Sequence, residues 1–452
     1  MAHRSLDRIL SLRDLVLLVV GAVIGSGIFL VPGTVLTQTD GRVGIALLVW
    51  LIAGVLSLLG ALTYGELSAA DPEAGGIYVY IRNGFGRFPA FLYGWTLLFM
   101  ISAGSIAALS VAFTSYLNQL VPVGGWTAKL VSVAVIAVIM ALNVRGTRQS
   151  SDVQNVTTAI KAGAILIMGL VLLFAGGGLQ DSRAALWPEA INGSVFSGAL
   201  TAIIAVLWAY EGWQYVTFSA GEIKEPQRNF PRGIVIGTLT LIVIYCFANI
   251  AYLAALGPAG VAQSSTVAAD AVGAIMGPVA GQLIAAVILI SMFSAANSIL
   301  LTTPRVYYAM AKDGIFFHRL ANVHPRFGTP ATAVVVQAVW AMALALSGTF
   351  TQLLTYVVFT GWIFYALGAA SIFVMRRTRP DAPRPFRVPG YPFTPLLFVL
   401  ASATIVINTL VTQPRLALVG VAFVLSGAPA FVIWRRFAAR TPIPAPARST
   451  DL

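Results

Sequence analysis

The sequence predicts an all-α membrane protein with twelve transmembrane helices, and three observations carry that prediction. The chain is 58% hydrophobic and only 10% charged, with a mean hydropathy of +0.86, far from the composition of a soluble domain. Apolar runs long enough to cross about 30 Å of hydrocarbon recur twelve times along it. Lysines and arginines fall almost entirely on alternate connections between those runs.

The runs lie near 14–36, 43–66, 88–119, 126–143, 153–177, 194–221, 233–256, 271–304, 330–346, 353–375, 393–411 and 415–434. The first follows Arg4, Arg8 and Arg13; it is too long for the apolar region of a signal peptide and lacks a small-residue cleavage site, so it reads as retained. With twelve spans, 23 of the 28 basic residues fall on one side, from the N-terminus through Arg82 and Arg87 to the tail after 434. Only Arg42, Lys129, Arg183 and Arg415 fall on the other, and Lys161 lies inside the fifth run. A missed span would exchange sides for every later loop, so the split supports the count. Positive loops stay in the cytoplasm, which predicts cytoplasmic termini at 1–13 and 435–452. The ending "TPIPAPARSTDL" reads as a flexible end.

Other classes fit poorly. The net charge of +12 is scattered over short loops and not gathered on one face, which argues against nucleic acid. One cysteine, Cys246, and three histidines outside the apolar runs (His3, His318, His324) build neither a disulfide framework nor a metal site, so no metal or cofactor is expected.

Two runs are interrupted. "VVGAVIGSGIFLVPG" (19–33) carries Gly25-Ser26-Gly27 near the middle of a span, although glycine costs a helix interior about 1 kcal/mol relative to alanine. "LWAYEGWQY" (207–215) carries Glu211-Gly212 five spans later. Unwound backbone is tolerated in lipid only where it faces protein or a polar cavity. Paired interruptions at matching places in two five-span units point to a transporter with inverted repeats and a midplane binding site. The bland alternative is close helix packing through small residues four apart, as at Gly21 and Gly25. Lys161 and Glu211 are the two ionisable residues deep in the spans, where a charge costs about 2.5–3.5 kcal/mol on the mildest scale and marks a functional candidate. Lys161 stands about nine residues into its run, too deep for simple snorkelling. Trp208, Tyr210, Trp213 and Tyr215 surround the second break, in packing or substrate contact.

An enzyme would need paired acids or a histidine cluster in the spans, and none is visible. A channel would need a continuous polar stripe, whereas the polar groups concentrate at two breaks. "GAVIGSG" follows no strand, which argues against a nucleotide loop. A transporter of two six-helix halves would favour a long connection between the sixth and seventh spans, and 222–232 is short.

The residues then resemble a known family, the amino acid-polyamine-organocation (APC) transporters, and within it the L-type amino acid transporter branch. "GAVIGSGIF" is similar to the family's first-helix signature, and "ELSAADPEAGGIYVYIRNGFG" to its second-to-third loop. "WAYEGWQYVTFSAGEIKEPQRNFPRGI" resembles the sixth helix and following loop, "NSILLTTPRVYYAMAKDGIFFHRLANVHPRFGTP" the eighth helix and beyond, and "RRTRPDAPRPFRVPGYP" the tenth-to-eleventh connection.

The resemblance implies a LeuT-type fold: five-helix repeats at 14–177 and 194–375, broken in helices 1 and 6, then a connecting loop and helices 11 and 12 at 376–434. It implies that an amino acid carboxylate rests on the amides of Ser26 and Gly27, beside Gly25, and its ammonium on carbonyls near Val23, Ile24, Trp208, Ala209 and Glu211. Tyr210, Gly212 and Asn297 complete the implied substrate-binding set. A half-helix N-terminus favours an anion and a C-terminus a cation, so the electrostatics of a zwitterion agree.

Lys161, in "TTAIKAGAIL", is implied to stand where sodium-coupled relatives hold Na⁺, bonding to carbonyls at the first break and to the eighth span around Ser294 to Ser298. Transport is therefore expected to be sodium-independent. Small residues (Ser26, Ser294, Ala295, Ala296) and Trp208, where the branch usually has phenylalanine, predict a neutral substrate of small to medium size. Glu211 keeps a cationic amino acid or polyamine as the alternative. No cysteine lies between the third and fourth spans, so no disulfide-linked ancillary subunit is expected. Short loops lean towards a bacterial inner membrane.

Overall fold

Helix boundaries follow local chemistry. In a computed structural model describing residues 8–118, 120–179, 186–188 and 193–438, Ser11 and Asp14 form a capping box that starts α1 (Leu12–Val23), and the non-helical backbone of Ile24 ends it. Gly27 opens α2 (Gly27–Gln38), bent by 46° from α1. Then come α3 (Val43–Ala70), α4 (Ile77–Phe85), α5 (Arg87–Thr96), a π-turn at Leu97–Ile101, and α6 (Ser102–Leu117). The Ser102 hydroxyl donates to Leu97 O at 2.6 Å within that wider turn. Two long helices follow, α7 (Gly125–Arg145) and α8 (Thr147–Ala175).

The second half begins with α9 (Gly193–Ala209), which stops before a turn where Gly212 takes φ 128°, open to glycine at little cost. A 3₁₀ helix at Trp213–Glu222 completes this crossing. Next are α10 (Pro226–Gln263), α11 (Val267–Met276), α12 (Pro278–Thr302), α13 (Pro304–Lys312), α14 (Ala331–Ser347), α15 (Phe350–Thr378), α16 (Phe393–Thr412) and α17 (Pro414–Ala438).

Among the described residues, ten helical stretches are long and apolar enough to cross a membrane, and the bent pair α1 and α2 makes an eleventh. α14, where the ninth span is expected, is apolar but has only 17 residues. The expected eighth span at 271–304 needs correction: it is two helices. Gly277 at φ 89° turns the chain and Pro278, lacking an N–H, starts α12 afresh. The stretches 1–7 and 439–452, with Arg4 and the proline-rich end, lie outside the described residues, as does Arg183.

Burial sorts centre from rim. The stretch Arg87–Leu117 is 83% buried over its apolar window, against 17% for Pro414–Arg435, whose exposed Leu418 and Leu425 suit lipid contact. Among the described residues the only strand-like pairing is an isolated parallel bridge between Leu10 and Ile223. This is an integral membrane protein.

Candidate functional site

The two breaks touch each other, and glycine is what lets them. A Cβ on Gly27 would overlap Cα and Cβ of Ala209. One on Gly212 would stand 2.8 Å from Ala22 O. Each break is thus seated on the backbone of the other crossing. Gly21 serves helix packing instead, since a Cβ there would overlap Gln154 and Thr158 of α8.

A small pocket lies between the breaks. Gly25, Ser26 and Gly27 line it from the first break and Trp208 and Glu211 from the second, with Ala22, Val23, Ser105, Leu109, Tyr215, Ala295 and Ile299 around them. All of these residues are buried. The amides of Ser26 and Gly27 have no acceptor among the described residues, because the first turn of α2 has no preceding helix to bond to. Bare amides at a helix N-terminus form an anion site. Trp208 crosses above them, its Nε1–H donating to Ser26 Oγ at 3.3 Å.

The carbonyl end of the first break is clamped from three helices. Lys161 of α8, with no solvent exposure, donates from Nζ to Gly21 O at 2.7 Å, Ile24 O at 2.5 Å and Ser291 O at 3.4 Å. Ser291 of α12 donates through its hydroxyl to Ile24 O at 3.0 Å and Gly25 O at 3.2 Å. Tyr245 of α10 lies between both breaks, its hydroxyl 3.0 Å from Val23 O and 2.9 Å from Ala209 O.

These bonds refine the expected ammonium contacts. Ile24 O already accepts two hydrogen bonds, from Lys161 and Ser291, which fills its lone pairs. Trp208 O accepts from the Glu211 amide at 3.0 Å. Val23 O and Ala209 O are engaged by Tyr245, and each keeps one acceptor position.

At the second break, Glu211 Oε1 accepts from Gln214 Nε2 at 2.5 Å, from Tyr215 Oη at 3.3 Å and from Tyr365 Oη of α15. Its other oxygen has no hydrogen bond among the described residues. No cation pairs with this carboxylate among the described residues.

Of the expected site residues, Ile24, Ala209, Tyr210, Gly212 and Asn297 do not line the cavity. Tyr210 turns from the cavity to pack against Trp50 and Tyr245, with ring centroids at 6.2 and 5.0 Å, because the turn after Ala209 points it at α3 and α10. Asn297 is not a cavity residue either. Its Oδ1 accepts from Asn143 Nδ2 at 2.8 Å and Ser150 Oγ at 3.2 Å, and its Nδ2 donates to Gln154 Oε1 at 3.2 Å, which uses the amide to join α7, α8 and α12. Ser294 bonds Thr157 at 2.9 Å, so the α12 partner of Lys161 is Ser291, one turn before the expected stretch. Tyr245 and Ser291 escaped the sequence reading. Their only sequence signal is a hydroxyl in an apolar span, and many packing residues share it.

Comparison with known proteins gives the family. The family described as "Amino acid permease" matches residues 10–433. The b(0,+)-type amino acid transporter 1 of Mus musculus is 32% identical over 438 residues, covering 94% of this chain and 87% of its own. The serine/threonine exchanger SteT of Bacillus subtilis (strain 168) is 32% identical, covering 92% of this chain and 94% of its own. The cystine/glutamate transporter of Homo sapiens is 31% identical, covering 95% and 86%. With the match running through both breaks and the cavity between them, the chain belongs to the amino acid permease family of the APC superfamily.

Proposed function

We propose that the protein is a secondary transporter or exchanger that moves a neutral amino acid of small to medium size across the membrane by alternating access, independently of sodium. The observation that carries this reading is the buried cavity between two abutting breaks. Bare amides of Ser26 and Gly27 stand on one side to receive a carboxylate, and the carbonyl of Val23, which also lines the cavity, keeps an acceptor position for an ammonium. Lys161 sets its tethered amine on the carbonyls of the first break, in the place the resemblance gives to a bound cation. Leu109, Ala295 and Ile299 leave an apolar space of limited size for the side chain.

The same reading takes α14 as the ninth of twelve spans in a LeuT-type arrangement of two five-helix repeats with α16 and α17 outside them. It sets both termini in the cytoplasm of a bacterial cell, with the protein in the inner membrane. Relatives at about 30% identity that are named for amino acid transport or exchange support it.

One observation favours a second reading, a cationic amino acid: Glu211 presents a buried carboxylate to the cavity with no cation beside it among the described residues. The test is uptake into proteoliposomes with choline replacing sodium, and competition by a panel of amino acids. Sodium-independent uptake inhibited by alanine, serine or leucine is expected. Strict sodium dependence, or inhibition by arginine and lysine alone, would overturn the corresponding part of the proposal.

A further inference from the structure

The junction of α7 and α8, on the basic side of the protein, holds a second pocket, of about 420 Å³. Arg145, Arg148 and Arg326 line it together with the first turn of α8, and Glu222 stands at its edge. The three arginines reach it from different places: Arg145 ends α7, Arg148 opens α8, and Arg326 belongs to the loop before α14. The hydroxyl of Thr329 donates to Val144 O at 2.9 Å and fastens that loop to the junction. Within the loop, the amides of Arg326 and Phe327 donate to His324 Nδ1 at 3.2 and 3.3 Å, which fixes the turn that carries Arg326.

Positive charge gathers here without a matching anion. Arg145 and Arg326 have no carboxylate partner among the described residues, and the Arg326 guanidinium lies 5.5 Å from the ring centre of Phe327. Arg148 alone is paired, with Asp152 at 3.1 Å and Asp14 at 4.0 Å. Glu222 does not neutralise the others, because Arg305 takes both of its oxygens, from Nε at 2.6 Å and Nη2 at 3.2 Å. The amides of Thr147, Arg148 and Gln149 have no acceptor among the described residues, so the positive end of α8 opens on the same pocket. A helix N-terminus disfavours cations, yet three arginines surround this one.

A buried donor adds to the demand. Ser151 lies one turn further into α8, on the face it shares with Thr147 and Arg148, and its hydroxyl has no partner among the described residues. Helical side chains lean towards the N-terminus, which tips that hydroxyl to the pocket end of the helix.

We propose that this pocket binds a terminal phosphoryl group, carried by the headgroup of an anionic lipid or by free phosphate. Arginine forks match phosphate oxygens bidentately, and the amides of a helix N-terminus take a further oxygen. A carboxylate brings one charge and two oxygens, fewer than these donors can engage. A phosphomonoester brings nearly two charges and three acceptor oxygens, enough for Arg145 and Arg326 together with the first turn of α8.

Thermal unfolding of the purified protein reads this site without transport, so its outcome is separate from that of the uptake assay. Inorganic phosphate is titrated against chloride at constant ionic strength in detergent, and nanodiscs of phosphatidylcholine are compared with nanodiscs that also contain phosphatidic acid. Saturable stabilisation by phosphate identifies a free anion as sufficient, and stabilisation by phosphatidic acid alone identifies the lipid headgroup. In either case Arg145→Gln with Arg326→Gln is expected to weaken binding about a hundredfold, or about tenfold for each charged donor lost. No response to either probe, or a response that the double variant leaves intact, would overturn the proposal. Hydrogen exchange on the unmodified protein gives a reading free of any variant's folding: the amides of Arg148 and Gln149 are expected to exchange several-fold more slowly with the effective probe, and unchanged exchange there would also overturn it.

Discussion

The two breaks solve the same problem with opposite chemistry. At the first, the chain offers carbonyls, and donors arrive from outside: Lys161 from α8, Ser291 from α12 and Tyr245 from α10. At the second, the chain offers a carboxylate, and most of its donors are local. Gln214 and Tyr215 lie three and four residues on, and Tyr365 alone comes from elsewhere. The first break is thus held in place by its neighbours and the second largely by its own turn. A change beside the first should act over a distance, whereas a change at Glu211 should stay local.

The largest effect expected is at the contact between the breaks. Gly27→Val puts a branched side chain into the backbone of Ala209, so binding should be abolished while the protein still inserts. Unchanged affinity of the purified variant, read as thermal stabilisation by ligand, would show that the amides of this turn are not the carboxylate site.

Lys161→Ala comes next. It removes three hydrogen bonds and leaves Gly21 O without its side-chain donor. Bonds to a charged group are worth about 1.5–3 kcal/mol each, so uptake should fall by about a hundredfold or more with expression largely intact. Full activity would make the lysine a bystander and remove the contrast between externally and locally held breaks.

Tyr245→Phe keeps the ring and loses only the hydroxyl between Val23 O and Ala209 O. At about 1–2 kcal/mol for one neutral donor, substrate affinity should weaken about tenfold, and the freed carbonyls make the loss one of affinity more than of fold. An affinity equal to the unmodified protein's would show that the breaks hold their spacing without it.

The smallest effect belongs to Glu211→Gln, which keeps an acceptor oxygen for Gln214, Tyr215 and Tyr365. Neutral amino acid uptake should change by less than about threefold, because all three donors keep an oxygen to bond, with neutral hydrogen bonds in place of charge-assisted ones. Any competition by lysine or arginine should disappear. A large loss of neutral uptake would place Glu211 in contact with every substrate.

Much of this architecture is legible in the sequence. The spans follow from apolar length, the first break from Gly25-Ser26-Gly27 near mid-span and the second from Glu211-Gly212, a charge beside a glycine. Lys161 stands out because nothing else deep in its run is charged. Tyr245 does not, because the chain has 14 tyrosines and a hydroxyl in a long apolar span looks the same whether it packs or bridges. The shift from Ser294 to Ser291 is one of register between α8 and α12, fixed by how the helices cross, which neither segment's sequence contains. Asn297 misleads for a related reason: a buried amide must find partners, and α7 and α8 supply them on the side away from the cavity. The break at Gly277-Pro278 is present as a turn-forming pair but hidden inside continuous hydrophobicity.

The winding of Trp213–Glu222 makes this stretch a spacer. Ten residues as a 3₁₀ helix span about 20 Å, where an α-helix would span about 15 Å. Glu222 therefore stands about 5 Å farther from the cavity than α-helical winding would put it, roughly the reach of a side chain. Arg305 waits at the longer distance, 2.6 Å from the Glu222 carboxylate, with Thr147 bonded to its other end. The ion pair and the winding select each other: rewinding the stretch to an α-helix would draw the carboxylate off the guanidinium, and holding the pair keeps the stretch drawn out.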